Sequence, residues 1–525
     1  MIFQGFCVII NMVIAMENPS CECDIIALKD KIKELESLVK FYEGQFLLAQ
    51  KMKFGSSSEK SVYDQIPLDG IDDEVAMKGY ENCEEPALEV VKEHYRKKRT
   101  RKDRLPEDLP VEEIVCELPA SESTCPNCGT ETEVLGNDYR EELVIVPAKV
   151  IVRRYAARTY ICRECVDSAD RMVIIKAEMP NPVIKGSFAS AEAVAYVAYQ
   201  KFVMGVPLYR QEKEWERKGV MLSRQTLANW LVTVSENYLN SLVRELKKQL
   251  LKRDIAHADE TTLQVLKEEG RDPRSKSYLW CYRTSGDAYD PIVVAEYKPD
   301  RKYRTPAEFL AEFKGYLHTD GYEAYHKLPK DIVVVGCWAH VRRKWDAALK
   351  AVRTADRNDT PELKGKRYCD KLFDIERDFA LLDTEQRYKE RLKTLKPVID
   401  EFFDWASSIR TPAKSLLGKA ISYMFSQKKY LLNILLDGRL ELSNNRVERT
   451  IKPFVISRKN FLFANTPRGA NAAANIFSLV ETAKESGLDP FAYLTYVFKT
   501  APNLDMNNPK NVKVLLPAEF KKQLS

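Results

Sequence analysis

The amino-acid sequence predicts a multidomain α+β fold on three observations. Apolar residues recur at heptad spacing near the start, and two Cys-x-x-Cys pairs follow. Beyond residue 251, helix-type spacing gives way to short apolar runs of strand type. A chain of 525 residues holds material for three or four domains. At 45% hydrophobic and 30% charged, its composition is that of an ordinary soluble globular protein. The formal net charge of +5 is too small to imply a nucleic-acid partner, but the charge is unevenly placed. His94 to Arg104 is strongly basic and Asp69 to Glu85 acidic. The basic run reads either as a solvated linker or as an arm that contacts phosphates.

Met1 to Ala15 is apolar, lacks a positive n-region and is interrupted by Asn11. Initiation at Met12 or Met16 is therefore expected in place of a signal peptide. No other stretch is long and apolar enough to span a bilayer, so no membrane partner is expected. Ile25, Leu28, Ile32, Leu35, Val39, Tyr42, Phe46 and Ala49 make an a/d stripe with Lys and Glu on the other faces. This predicts a coiled coil that pairs two chains, with an amphipathic helix packed on its own chain as the alternative. Phe54 to Lys60, rich in turn formers, ends that segment (1–60), and 61–110 lacks periodicity and reads as a linker.

The twelve cysteines do not form a secreted disulfide framework in a chain this large. Cys125, Cys128, Cys162 and Cys165 instead have metal spacing. Two such knuckles in one module (111–180) predict a tetrahedral Zn²⁺ held by four thiolates, a structural site because protein fills every position. A redox pair is the alternative, but redox chemistry needs no second copy. Strand-like runs from Glu142 and from Val150 lie between the knuckles.

Residues 181–250 read as helical. Val206 to Arg217, a Lys218-Gly219 turn and a Ser-led helix from Leu222 to Leu231 form a helix-turn-helix pattern. Arg224, Gln225 and Asn229 then face a major groove, where such side chains make bidentate base contacts. An ordinary helical hairpin gives the same signal.

Strand candidates follow at Asp254–Asp259, Ser277–Tyr282 and Pro291–Tyr297, then a helix from Thr305 to Lys314. Gly315–Asp320 and Ile332–Cys337 are the fourth and fifth strands, with a short helix between them. Three meandering strands, a helix, a strand, a short helix and a strand give the order of a ribonuclease-H-like α/β core. That core takes 251–349 and 441–485, with 350–440 as a helical insertion and 486–525 as a C-terminal element. Asp259 lies on the first strand, Asp320 just after the fourth, and Glu448 in the helix-compatible segment Asn444 to Arg449. Brought together, these oxygens make a cage for two Mg²⁺ or Mn²⁺ ions, the equipment for in-line phosphoryl transfer on DNA. Each acid also has a plain reading: a backbone acceptor at Asp259, a tight turn at Asp320-Gly321, a capping box from Asn445 to Glu448. Arg449, Lys452, Arg458 and Lys459 line the last segment as candidate DNA contacts. Phe461 and Phe463 beyond them suit either a DNA end or a core. His340 is open between a DNA contact and a structural partner for Cys337, and that spacing alone does not predict a second metal site.

Asp259-Glu-Thr261, Thr319-Asp-Gly-Tyr322, Cys337-Trp-Ala-His-Val-Arg-Arg-Lys344 and Asn444-Asn-Arg-Val-Glu-Arg449 resemble DDE transposases of the insertion-sequence-66 type. Arg458 to Phe463 and Gly487 to Tyr493 add to the likeness, which covers nearly the whole chain from the heptads onward. The resemblance places the acidic triad on Asp259, Asp320 and Glu448, with none substituted. It implies binding to terminal inverted repeats, cleavage there and strand transfer to target DNA without a covalent enzyme intermediate. It also implies accessory proteins of the same element and a bacterial cytoplasmic location on the nucleoid. A catalytically retired DNA-binding protein and a metal-dependent nuclease without strand transfer are the alternatives.

Overall fold

The computed structural model describes residues 31, 32, 39, 150–166, 172–286, 289–353 and 357–524. Lys31, Ile32 and Val39 are helical, while the rest of the heptad stripe, the linker, Cys125 and Cys128 lie outside the described residues. Residues 150–179 belong to one compact unit. In it, β1 (Thr159–Val166) carries Cys162 and Cys165 and pairs antiparallel with β2 (Met172–Lys176), with a register shift between Cys162 and Val166.

The unit from Pro180 onward opens with α1 (Ala191–Phe202), α2 (Leu208–Arg217) and α3 (Arg224–Val234). Ser190 and Ser223 cap α1 and α3 by accepting from Ala193 N at 3.0 Å and Thr226 N at 3.1 Å. Between α2 and α3 the chain turns at Gly219, whose φ of 78° is left-handed backbone that glycine adopts without a Cβ clash. The break at Lys218-Gly219 is the one the sequence predicted, and a second falls between α1 and α2. A π-type turn over Ser235–Leu239 carries α3 directly into α4 (Asn240–Leu250). Leu239, Leu242, Leu246 and Leu250 are all buried along that continuation, which explains its persistence.

A five-stranded mixed sheet follows. β3 (Ile255–Gln264), β4 (Lys276–Thr284) and β5 (Val293–Lys298) form an antiparallel meander. After α5 (Arg304–Phe309), β6 (Gly315–His318) returns parallel to β3, and after α6 (Glu323–His326), β7 (Ile332–Val335) lies parallel to β6. The order across the sheet is β5-β4-β3-β6-β7, which puts β3 at the centre, buried along nearly its whole length. Two boundaries differ from the sequence reading. The first strand runs on to Gln264, because Glu260 to Gln264 keep their register with β4 down to Lys276. The helix before β6 stops at Phe309, and the chain turns with Phe313 N donating to Leu310 O at 3.0 Å. It enters β6 through Gly315, φ 134°, where a Cβ would stand 2.2 Å from Asp254 O.

α7 (Trp338–Lys350) leads into the insertion: α8 (Pro361–Asp378), α9 (Thr384–Glu390), α10 (Lys396–Ser407) and α11 (Leu416–Leu431). Its core is aromatic, with Tyr368 stacked on Phe402 at 4.8 Å and Trp345 tilted against Phe402 at 5.5 Å. The insertion is tied to the sheet at its return. Tyr430 O accepts from Gly336 N at 3.0 Å, and Leu442 O accepts from Trp338 N at 3.0 Å.

α12 (Asn445–Phe461) and α13 (Pro467–Glu485) complete the cover of the sheet. β5 is its outer strand, and α13 satisfies that edge from the side. Ser478 Oγ accepts from Ala295 N at 2.8 Å and Thr482 Oγ1 from Val293 N at 3.0 Å, so the edge offers no template for another strand. α14 (Pro490–Thr500), α15 (Pro509–Val514) and α16 (Pro517–Leu524) close the chain against α1, α4 and α13 in one apolar core. No helix among the described residues is long and apolar enough to cross a membrane.

Candidate active site

Asp259 stands midway along β3, with Asp320 two residues beyond the end of β6, the strand parallel to it. Residues 257 and 318 are register partners, so the two aspartates lie side by side at the same end of the sheet. Oxygens of Asp259, Glu260 and Asp320 all lie within 4.8 Å of one another, and all three residues are buried. Each is held. Asp259 Oδ1 accepts from Glu260 N at 2.8 Å, and Asp320 Oδ1 from Tyr322 N at 2.9 Å. Glu260 accepts from Arg301 Nε at 2.6 Å and from the Tyr325 hydroxyl at 2.5 Å. Arg301 also comes within 3.8 Å of Asp320 Oδ2 and lies over the Tyr322 ring.

Glu448 occupies the first turn of α12. It faces Arg343, whose Nη2 donates to both carboxylate oxygens at 2.7 Å, and His340 Nδ1 stands 3.7 Å away. Cys337, His340 and Glu448 offer ligand atoms within 4.8 Å of one another, a grouping that the Cys-to-His spacing alone did not suggest. Glu448 thus groups with Cys337 and His340 and is oriented by α7, outside the Asp259, Glu260 and Asp320 cluster, although its charge is felt at Asp259.

Burial raises the Asp259 carboxyl well above its usual range, and the negative charges of Glu260, Asp320 and Glu448 raise it further. A carboxylate crowded in this way gains most from a divalent cation, and an all-oxygen donor set suits Mg²⁺ or Mn²⁺. The residues present therefore fit such an ion. Below them, His257 and His318 stack at 4.4 Å, wholly buried, and Asn444 bonds to His257 Nδ1 at 3.0 Å. Gly321, next to Asp320, is approached so closely by Tyr423 of α11 that a Cβ would lie 2.7 Å from its hydroxyl.

The family described as "Transposase IS66 family" matches residues 186–472, more than half of the chain. The chain belongs to this family. It is accordingly a DDE-type transposase. The "zinc-finger binding domain of transposase IS66" matches 122–166, a span that contains all four candidate thiolates. "Transposase C of IS166 homeodomain" matches 42–114 and "IS66 C-terminal element" 478–517. Similar curated relatives come from Sinorhizobium fredii. The uncharacterized protein y4qI is 31% identical over 431 residues, covering 78% of this chain and 76% of that protein. The uncharacterized protein y4hP is 27% identical, covering 82% of this chain and 78% of that protein.

The other candidate residues of the transposase are spread over two helices. Arg224, Gln225 and Asn229 are exposed on α3, where Gln225 Nε2 donates to Asn229 Oδ1 at 2.9 Å. Arg449 and Lys459 are exposed on α12, and Lys452 is half-buried. Arg458 points inward and donates to the backbone carbonyl and hydroxyl of Thr262, tying α12 to β3. Phe461 packs edge-on against Phe454 at 5.8 Å, while Phe463 is exposed. Sequence reasoning missed Glu260, Arg301, Arg343 and the layer beneath the acids. A repeated His-x-Asp, at 257–259 and again at 318–320, was the available signal for that layer.

Proposed function

We propose that this transposase binds the terminal inverted repeats of its insertion sequence, cleaves at the ends and joins the freed 3′-hydroxyl to target DNA. Asp259, Asp320 and Glu448 form its acidic triad, with Glu260 as a fourth carboxylate beside them. The observation that carries the reading is the convergence of Asp259, Glu260 and Asp320 oxygens within 4.8 Å, all buried, where burial and then the neighbouring carboxylates push the Asp259 carboxyl upward. The strand order β5-β4-β3-β6-β7, with β6 and β7 parallel to β3, supports a ribonuclease-H-like identity for the sheet.

When bound, two Mg²⁺ or Mn²⁺ ions supply Lewis acidity at the scissile phosphate and lower the pKa of water there. The chain's own residues fix where that chemistry happens. Asp259 and Asp320, with Glu260 beside them, would hold the ions, and Arg301 with Tyr325 keeps Glu260 from drifting. Arg343 fixes the Glu448 carboxylate by donating to both of its oxygens. Lys452, one turn beyond Glu448, and the exposed Arg449 and Lys459 meet DNA phosphates, while Arg458 braces α12 from within. Arg224, Gln225 and Asn229 read bases of the terminal repeat. Zn²⁺ on Cys125, Cys128, Cys162 and Cys165 shapes the module ahead of them, and the N-terminal heptads pair two chains. The work takes place in the bacterial cytoplasm, on the nucleoid, with accessory proteins of the same element.

Full-length protein, Mg²⁺ and a duplex carrying an element end test the reading directly. Cleavage followed by joining is the expected result. Cleavage alone would indicate a nuclease, and binding alone a retired regulator. Asp320→Asn should abolish both steps and leave end binding intact. Undiminished cleavage by that variant would overturn the assignment of metal ligands.

A further inference from the structure

Asn444 is the N-cap residue of α12, yet its side chain caps nothing. Asparagine at that position ordinarily accepts from an N–H of the first helical turn. Here the amide turns away toward β3. Its Nδ2 donates to Ala258 O at 3.0 Å, one residue before Asp259. Because that carbonyl can only accept, the amide orientation is fixed, and Oδ1 faces His257 Nδ1 at 3.0 Å. His257 therefore carries its proton on Nδ1. The backbone N–H of Asn444 meanwhile donates to Cys337 Sγ at 3.1 Å, at the start of the helix that carries Arg343.

Three buried polar residues each stand shortly before one of the three acids in the chain. His257 precedes Asp259 by two positions on β3, and side chains at that spacing share a strand face. His318 stands in the same relation to Asp320, and the two rings stack at 4.4 Å across the parallel pair. Asn444 precedes Glu448 by one helical turn, and Glu448 N closes that turn on Asn444 O at 3.4 Å. His257, His318 and Asn444 are each fully buried. A second nitrogen of His257 lies 3.6 Å from Glu441, and Glu441 N donates to His318 Nε2 at 3.3 Å, so the approach to α12 is tied to both rings.

We infer that Asn444, acting through His257 and the Ala258 carbonyl, is a positioning residue that sets the spacing between the carboxylates of the sheet and Glu448. The inference rests on the metal-binding reading of those carboxylates. Loss of a group that orients a metal ligand weakens metal affinity by about 10- to 100-fold in known sites, and the same range applies here.

Mn²⁺ binding to the full-length protein, followed by the electron paramagnetic resonance signal of the free ion, provides the test. Asp259→Asn defines the binding that belongs to the carboxylates. Asn444→Ala and His257→Ala should each weaken that component at least about tenfold. His257→Asn places an amide donor where Nδ1 stands, and it should restore affinity to within about threefold of the parent. A merely structural role would treat the two His257 variants alike. Equal losses in them, or parental affinity in Asn444→Ala, would overturn the inference while leaving the metal site standing. If Asp259→Asn leaves Mn²⁺ binding unchanged, the metal reading fails and this inference fails with it. Should Asn444→Ala lose its cooperative thermal transition, the two His257 variants decide the matter.

Discussion

Arg343 and Glu448 lie 105 positions apart, yet one guanidinium nitrogen of the arginine donates to both oxygens of the glutamate at 2.7 Å. Both side chains are largely out of water, 9% and 18% exposed. In such surroundings a charge left without its partner costs more than the pair contributes. Arg343 sits in the second turn of α7, directly after β7, so its reach relates the first turn of α12 to the sheet. The acid most distant in sequence is therefore placed by an arginine that belongs to neither the sheet nor the helix bearing it.

Arg343→Gln removes the charge and keeps a shorter polar side chain. Cleavage of an end duplex should fall about 10- to 100-fold, the range seen when groups that orient metal ligands are removed. End binding should stay near the parental level, because α3 and the zinc module lie outside this contact. Time courses at saturating DNA separate the two effects. A parental cleavage rate would show that Glu448 needs no such anchor.

Asp259 makes a pH prediction for the metal-free protein. Its carboxyl is raised by burial first, and then by Glu260, Asp320 and Glu448. Between the ordinary and the raised value, the native state therefore binds this proton more strongly than the unfolded chain does. That contribution to stability is complete below the ordinary aspartate value of 3.8 and is lost as pH rises toward the raised one. Glu441 runs the other way. Despite burial, its neighbours His257, Arg446 and His318 hold it well below the usual glutamate range, so its contribution is lost only in acid. Comparison with Asp259→Asn isolates the aspartate. In chelator, the variant should unfold at a higher temperature than the parent, with a gap that widens from pH 4 to 7. Added Mg²⁺ should narrow the gap by stabilising only the parent. A gap that is constant with pH would contradict the crowding of charge at this site.

The succession of strands and the closeness of Asp259 to Asp320 were legible because each aspartate follows a short apolar run, which is a local signal. Glu448 was readable from the charge change around it. Glu260 was not. Alternation assigns neighbours on a strand to opposite faces, yet the Asp259 and Glu260 carboxylates come within 4.8 Å of each other. Arg301 and Arg343 escaped notice because each meets its acid from a distant part of the chain, a relation that no spacing encodes. The helix before β6 was read too long because Leu310 and Phe313 continue the apolar rhythm, although they are buried in a turn. The unbroken passage from α3 to α4 depends on a π-type turn, which shifts the periodicity that a sequence reading relies on.

The exposed face of α3 yields a prediction about recognition. Gln225 and Asn229 satisfy each other at 2.9 Å without DNA, whereas the Arg224 side chain lies only loosely over the exposed Tyr209 ring at 6.0 Å. Arg224→Ala should weaken binding to the terminal repeat by about 1–3 kcal/mol, the range for a bidentate base contact. Binding to scrambled duplex should change far less. Lys459→Ala should weaken both duplexes alike and lower the salt slope by about one unit. Competition titrations at two salt concentrations distinguish these behaviours. Equal losses on both duplexes for Arg224→Ala would place that arginine on phosphate instead of a base.

Arg391 predicts how the insertion and the active site are joined. It is fully buried and paired to Glu376, with its Nε 3.0 Å from Oε2. It also donates to Asp437 O at 2.9 Å and Leu440 O at 2.7 Å, carbonyls of the segment that leads into α12. Arg391→Met fills a similar volume but strands a buried carboxylate and leaves those carbonyls unsatisfied. The loss in stability should be about 3–5 kcal/mol, the usual result of breaking one half of a buried pair. Adding Glu376→Leu should recover part of that loss by removing the orphaned charge. Because Leu440 lies four residues before Asn444, cleavage should fall even at temperatures where the variant stays folded, while end binding through α3 persists. Denaturant titrations and cleavage assays on the single and double variants check both parts. A single variant as stable as the parent would show that the return segment is fixed by its apolar contacts alone.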